Sequence, residues 1–358
     1  MPKRISLVGI VGVPANYGGF ETFAEYLSRY IDDDFELTVY CSGKGVTDKR
    51  AVFEKAKLKY IPLKATGVQS VPYDVICLMD SLFACDVMLV LGSSGALILP
   101  LIKLFSSKKI VFNMAGLEWK RSKWNRFAKS FLKWSEKIAV KYSDVIVVDN
   151  RGLQEYIMDE YGVNSEVIAY GGDQVSKRVL SADLTTQYPF LSQPYYAAVA
   201  RVQPDNNIDL ILEAFKTLPD KQIVFVGNWD ASEYGLNLKV KYHKFENLHL
   251  LSPIYDLTVL DQIRSNCIGY IHGHSSGGTN PSLVEAMHLE IPIYAFDINF
   301  NRYTTQGLAF YFSDASQLRD VLKNGTSEMK AMSIIKMKEL AQESYCWRSI
   351  VEQYEAVF

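Results

Sequence analysis

The sequence predicts an α/β chain built from two Rossmann-like units, on three observations. Short apolar, β-branched runs alternate with stretches of helical period. The alternation fades through "TTQYPFLSQP" and then restarts. The length, 358 residues, suits two domains. These place an N-terminal unit over 1–175, a linker over 176–194, a second unit over 195–343 and a last helix over 344–358.

In the first unit "ISLVGIV", "ELTVY", "VMLVLG", "KIVFN", "DVIVVD" and "EVIAY" read as strands. Helical patterns lie between them near Phe20–Tyr30, Tyr73–Phe83, Ala96–Phe105, Ser122–Lys141 and Gly152–Tyr161. In the second, "YYAAVA", "QIVFVG", "LHLL", "IGYIHG" and "IPIYAF" are strands, and "IDLILEAF", "DLTVLDQIR" and "SLVEAMH" are helices. Such alternation implies parallel sheets with right-handed crossovers. "YCWRSIVEQYEAVF" closes the chain as an amphipathic helix.

Bulk properties exclude several function classes. The net charge of −2 calls for no nucleic-acid partner. Five cysteines, odd in number and widely spaced, form no zinc or disulfide pattern, which suits a reducing cytoplasm. Lys3 and Arg4 precede an apolar run that stops at Pro14, so it reads as a buried first strand and not as a leader. No apolar run reaches the ~18 residues of a membrane span. "DDD" at Asp32–Asp34 falls between a helix and a strand and reads as a solvated turn, not a metal site.

Open α/β sheets bind ligands beyond the carboxyl ends of their strands. In the first unit that edge carries "GVPANYGGFETF", where Gly18 and Gly19 let backbone N–H groups approach an anion. It matches neither G-x-G-x-x-G nor a P-loop. In the second unit His272 and His274 lead into Ser275, Ser276, Gly277, Gly278, Thr279 and Asn280, ahead of Pro281. Strand, glycine turn and helix start make a diphosphate cradle, with hydroxyl donors added. Pro281 fits a first helical turn. Glu285, one turn in, lies where a carboxylate accepts hydrogen bonds from sugar hydroxyls. Arg201 follows the first strand of this unit, where a guanidinium pairs with phosphate oxygens.

The stretch "EWKRSKWNRFAKSFLKWSEKIAVK" holds eight Lys/Arg between Lys120 and Lys141 and one acid, Glu136. Trp124, Phe127, Phe131, Trp134 and Ile138 recur at helical spacing as an apolar stripe. The expectation is stripe inward on the sheet, with Lys129, Lys133 and Lys137 outward to solvent or anionic lipid. Glu118, Lys120 and Arg121 follow the strand "KIVFN" at the ligand edge.

The motifs "GVPANYGGFETFAEYL", "GLEWKRSKW", "ARVQPDNNIDLIL" and "GHSSGGTNPSLVEAM" together resemble family 4 retaining glycosyltransferases of the GT-B fold, and within them the rhamnosyltransferase-like group that builds bacterial surface polysaccharides. They span both units. The resemblance implies two Rossmann-like domains facing a cleft, with the C-terminal helix returning to the N-terminal domain. It implies a nucleotide-activated sugar donor, dTDP-L-rhamnose first, with no cofactor and no metal. It implies a lipid-linked oligosaccharide acceptor at the inner face of the cytoplasmic membrane. Arg201 and Glu285 take the catalytic places. The donor side takes His272, His274, Ser275–Asn280, Asn206, Gly18 and Gly19. The acceptor side takes Tyr17, Glu118, Trp119, Lys120 and Arg121. The chain departs from the wider family at three positions. Gly277 stands where a first Glu is usual, Asn206 where a Lys is usual, and Ala115 where the group carries an Asp. A UDP- or GDP-sugar donor, a sugar-nucleotide epimerase and a two-lobed sugar-binding protein stay open as alternatives.

Overall fold

The computed structural model describes residues 1–15, 18–114, 116–120 and 124–358. It divides into two compact units. Unit 1 is Met1–Tyr170 with Trp347–Phe358, and unit 2 is Gly171–Cys346.

Unit 1 is built on β1 (Lys3–Val8), β2 (Phe35–Ser42), β3 (Val52–Phe53), β4 (Ala56–Ile61), β5 (Val87–Leu91), β6 (Lys109–Met114), β7 (Val145–Val148) and β8 (Glu166–Val167). They form one sheet in the order β3-β4-β2-β1-β5-β6-β7-β8. All pairs are parallel except the short β3–β4 hairpin. Ile5 faces Leu37 on one side and Val87 on the other, which fixes the register. A parallel sheet covered on both faces needs apolar residues at every position, and "VMLVL" in β5 is buried throughout. The helix Trp347–Val357 belongs to this core: Trp347, Ile350, Val351 and Tyr354 are each 1% exposed. Trp347 stacks on Tyr26 at 4.7 Å, and Tyr354 lies 4.5 Å from Phe23. Burying each such side chain contributes about 1.5–3 kcal/mol, which anchors the chain end.

Unit 2 is built on β9 (Tyr195–Val199), β10 (Gln222–Val226), β11 (Leu248–Leu251), β12 (Gly269–His272), β13 (Ile293–Phe296) and β14 (Phe310–Phe312). All neighbours are parallel, in the order β11-β10-β9-β12-β13-β14. The winding reverses between β9 and β12. A ligand crevice opens beyond the carboxyl ends of strands at such a reversal, because the two flanking loops part to opposite faces.

Two sequence expectations fail here. The stretch 176–194 is not a free linker. It holds the helix Ala182–Gln187 and the turn Pro189–Ser192, and it is bonded to the helix Leu257–Ser265 and its end. Ser176 N–H donates to Asp261 at 3.0 Å, Ser181 N–H to Gln262 at 2.8 Å, and Asn266 to the Arg178 carbonyl at 2.7 Å. Side chains of unit 2 satisfy this backbone, so it needs no periodicity of its own.

The basic helix, Arg126–Tyr142, docks on a different face from the expected one. It buries Ser135, Glu136, Ala139 and Val140, and leaves Phe127 88% and Trp134 56% exposed. Small residues let the helix approach closely, and Glu136 is satisfied inside by the hydroxyls of Tyr156 and Tyr161, both at 2.6 Å. Lys133 does not face out. It pairs with Glu136 and Glu160 and sits within 5 Å of the Trp119, Tyr156 and Tyr161 rings. No helix among the described residues is long and apolar enough to cross a membrane.

Candidate functional site

The crevice of unit 2 is made by the loop after β9 and the loop after β12, and the two are stitched together. Ser275 donates both its N–H and its hydroxyl to the Asp205 carbonyl, each at 2.9 Å. Asn207 donates to the Gly273 carbonyl at 2.8 Å. A Cβ on Gly273 would stand 2.2 Å from the Asn206 carbonyl oxygen, so the approach requires glycine. Asn206 is the main stitch. It is buried, its Nδ2 donates to the Arg201 carbonyl at 2.7 Å, and its Oδ1 faces His274 Nδ1 at 2.8 Å. That Oδ1 accepts only, so His274 carries its neutral-state proton on Nδ1. Asn206 thus works through Arg201 and His274. Arg201 itself is exposed at the mouth.

His272 ends β12, is 4% exposed, and lies 6.3 Å from the Tyr270 ring and 6.0 Å from the His274 ring. Burial first, and His274 second, push its pKa down to about 3, so the ring is neutral near pH 7. Its Nε2 is buried with no hydrogen-bond partner among the described residues.

Gly277 and Gly278 follow in the left-handed region, at φ 46° and 81°. Any other residue would be strained there. Half-buried Ser276 lies beside them, and buried Thr279 lies 3.4 Å from the Thr304 hydroxyl. Asn280 caps the helix Pro281–His288, its Oδ1 accepting from Ser282 N–H at 3.0 Å and from the Ser282 hydroxyl at 2.8 Å. This Asn is occupied as a cap. Asn301 holds the turn from the far side, donating to the carbonyls of His274 at 2.9 Å and Phe296 at 2.8 Å. The turn therefore presents a fixed helix N-terminus to the crevice, a place for negative charge.

Glu285 is not a solvated helix residue. One oxygen accepts from Gln174 at 2.6 Å, and the other pairs with Arg264, which is 1% exposed. Arg264 also pairs with Asp261 at 2.7 Å. Burial opposes its charge most strongly, but Glu285 and Asp261 outweigh burial, and its pKa is raised. The chain carrying Gln174 crosses the helix directly, because a Cβ on Gly172 would meet the Val284 backbone at 2.7 Å. Arg264 and Gln174 are the residues that sequence reasoning missed. The inward Asp261–Arg264 spacing in "DLTVLDQIR" was the readable signal for one of them.

The other expected residues lie in unit 1. Gly18, at φ 119°, precedes the helix Gly19–Tyr30. Glu21 accepts from Val11 N–H at 3.0 Å and Glu25 from Ala15 N–H at 2.7 Å. The two carboxylates thus tie the loop before the helix to the helix itself. Glu118 accepts from Trp124 Nε1 at 3.0 Å. Half-buried Trp119 lies under exposed Lys120, whose ammonium is 5.4 Å from its ring. Tyr17, Arg121 and Ala115 lie outside the described residues. At the reversal of the unit 1 sheet, Asp74 is buried against Ser94, and burial pushes its carboxyl up to about 7. No sequence pattern marked it.

The family described as a domain of unknown function, DUF1972, matches residues 2–173. A comparison with curated proteins finds no match. Solved structures similar to the chain include a sucrose-phosphate synthase from Thermosynechococcus elongatus, with a TM-score of 0.81 at 15% identity over 99% of this chain and 98% of that one. A glycosyltransferase from Rickettsia africae has a TM-score of 0.76 at 13% identity over 99% and 97%. The Anabaena protein HepE, in complex with UDP-glucose, has a TM-score of 0.75 at 12% identity over 99% and 98%. With two parallel α/β sheets of this winding and matches over the full length, the chain has the GT-B fold.

Proposed function

We propose that the chain is a retaining, metal-independent hexosyltransferase of the family 4, rhamnosyltransferase-like group. It moves a sugar from a nucleoside diphosphate to a lipid-linked glycan, at the inner face of the plasma membrane, in cell-surface polysaccharide assembly. The observation that carries this reading is the rigid anion cradle at the reversal of the unit 2 sheet. There the Gly277–Gly278 turn, the start of the helix Pro281–His288 and Arg201 are held in one construction by Asn206 and Ser275.

The chemistry follows from that arrangement. The donor diphosphate lies over the turn, where backbone N–H groups and the helix dipole meet its charge. As the bond to the sugar breaks, negative charge grows on the departing phosphate, and the Arg201 guanidinium stabilises it. The departing phosphate takes the proton of the attacking hydroxyl on the same face, so the anomeric configuration is kept and the protein supplies position and charge. Glu285, fixed by Arg264 and Gln174, keeps a second lone pair on each oxygen for a hydroxyl of the nucleotide sugar.

The motifs favour dTDP-L-rhamnose as donor. A UDP-hexose is the second reading, favoured by the UDP-glucose complex of a protein with this fold. The test is a calorimetric panel of dTDP, UDP, GDP and free hexoses, followed by transfer from radiolabelled donors. Nucleoside diphosphate binding without free-sugar binding supports transfer, and the labelled donor that reacts names the sugar. Binding of free sugars alone would instead support a sugar-binding protein.

A further inference from the structure

The helix Arg126–Tyr142 turns an aromatic and basic line away from its own sheet. At 100° per residue, Phe127, Trp134 and Lys141 fall on one line, with Ser130 and Lys137 beside them. All five are exposed, opposite the buried Ser135, Glu136, Ala139 and Val140. Among the described residues Lys137 has no acid partner, and Lys141 has only the Tyr142 ring, at 5.3 Å. Large aromatics left in water beside unpaired lysines mark a face that has a partner. Aromatic rings with lysines on one helix face suit the anionic surface of a bilayer.

The line runs into a pocket of about 610 Å³ at the end of the helix, lined in part by Lys137, Lys141, Asn164 and Ser165. Two acids, Asp144 and Glu166, share its wall. Asp144 is already engaged by Lys103 and by the Ile110 N–H, the latter at 2.7 Å. Ser165 is 8% exposed, and its buried hydroxyl has no partner. A buried hydroxyl without a partner, in a pocket that two lysines also line, is matched by a phosphate oxygen.

We propose that this face of unit 1 docks on an anionic phospholipid bilayer. Phe127 and Trp134 enter the headgroup region, and one lipid phosphate seats between Lys137, Lys141 and Ser165. The proposal names the surface behind the membrane location given above. It is measured without donor or acceptor, so its failure and that of the transferase reading are separately visible.

The test is co-sedimentation of the intact protein with vesicles of phosphatidylcholine alone and of equal parts phosphatidylcholine and phosphatidylglycerol. Binding is expected to the second and not the first, and to weaken with salt. Each basic residue near such a surface is worth about 1 kcal/mol, or about fivefold, so Lys137→Glu with Lys141→Glu should lower binding by more than about tenfold. Phe127→Ser with Trp134→Ser should lower it at least as much, and Ser165→Ala only a few-fold. These side chains are exposed, Ser165 apart, so melting temperatures should hold. Three results would overturn the proposal. One is vesicle binding that ignores both double substitutions. Another is a dimer, without lipid, that Phe127→Ser with Trp134→Ser breaks. The third is a thermal shift with inorganic phosphate that Lys137→Glu removes, from a protein that binds no vesicles.

Discussion

Asn206 Oδ1 accepts a hydrogen bond from His274 Nδ1 at 2.8 Å. Through its other end the same amide holds the Arg201 carbonyl at 2.7 Å, so one buried side chain sets the two loops that line the crevice. The residue type matters, because an amide carries an acceptor for the ring on one atom and a donor for the carbonyl on another. Asn206→Asp should leave the Arg201 carbonyl facing an oxygen and favour a charged His274. We expect donor affinity to fall about tenfold. Calorimetry checks it, and an unchanged affinity in the folded variant would remove Asn206 from its positioning role.

Arg201 separates catalysis from stability. It is exposed, so Arg201→Ala should leave the melting temperature nearly unchanged. Losing a charge partner of the departing phosphate should raise the barrier by about 2–4 kcal/mol, by analogy with oxyanion donors. Steady-state kinetics on the folded variant decides it, since near-normal turnover is incompatible with the role.

The Glu285–Arg264 pair should behave in the opposite way. Arg264→Met leaves Glu285 and Asp261 without their buried partner, at a cost of about 3–5 kcal/mol in urea unfolding. Glu285→Gln should weaken donor binding and lower stability together. Gly277→Glu, which supplies the acid usual in the wider family, must place a side chain at φ 46° and should not improve transfer. Faster transfer by that variant would show that the missing acid, and not the strained turn, limits the site.

Asp74 gives unit 1 a pH dependence of a definite sign. Its carboxyl sits at about 7 in the folded chain, above an ordinary value of 3.8. Between those values the folded state binds more protons than the unfolded state. Its share of stability is therefore full below pH 3.8, falls as pH rises toward 7, and changes no further above that. Asp74→Asn removes the titration. The variant should gain on the wild type as pH rises from 5 to 8, by up to about 3 kcal/mol. Parallel melting curves at the two pH values, with no change in the gap, would count against a buried acid here.

What could be read from the sequence, and what could not, follows from the range of the interactions. The strands of unit 2 were legible because a parallel sheet covered on both faces demands continuous apolar runs, as in "QIVFVG" and "IGYIHG". The Gly277–Gly278 turn was legible because adjacent glycines after a strand and before a helical pattern supply the left-handed backbone of a tight turn. Gln174 reaches Glu285 from 111 positions away and Arg264 from 21, and only the Asp261–Arg264 spacing leaves a local trace of either. The basic helix was misread in phase. Its aromatic stripe predicts the buried face, whereas Ser135 and Ala139 make the close approach and Phe127 and Trp134 stay outside. The strand β4, "AKLKYI", was missed because its alternating lysines look like a solvated loop.

In the proposed reaction the turn after β12 holds the donor diphosphate. A crystal structure with dTDP or UDP bound tests it most directly. Phosphate oxygens should lie about 2.7–3.2 Å from the backbone N–H groups of the Gly277–Thr279 turn, with the Arg201 guanidinium on the same phosphates. A nucleotide bound elsewhere, or its phosphates more than ~3.5 Å from that turn with no bridging water, would contradict it.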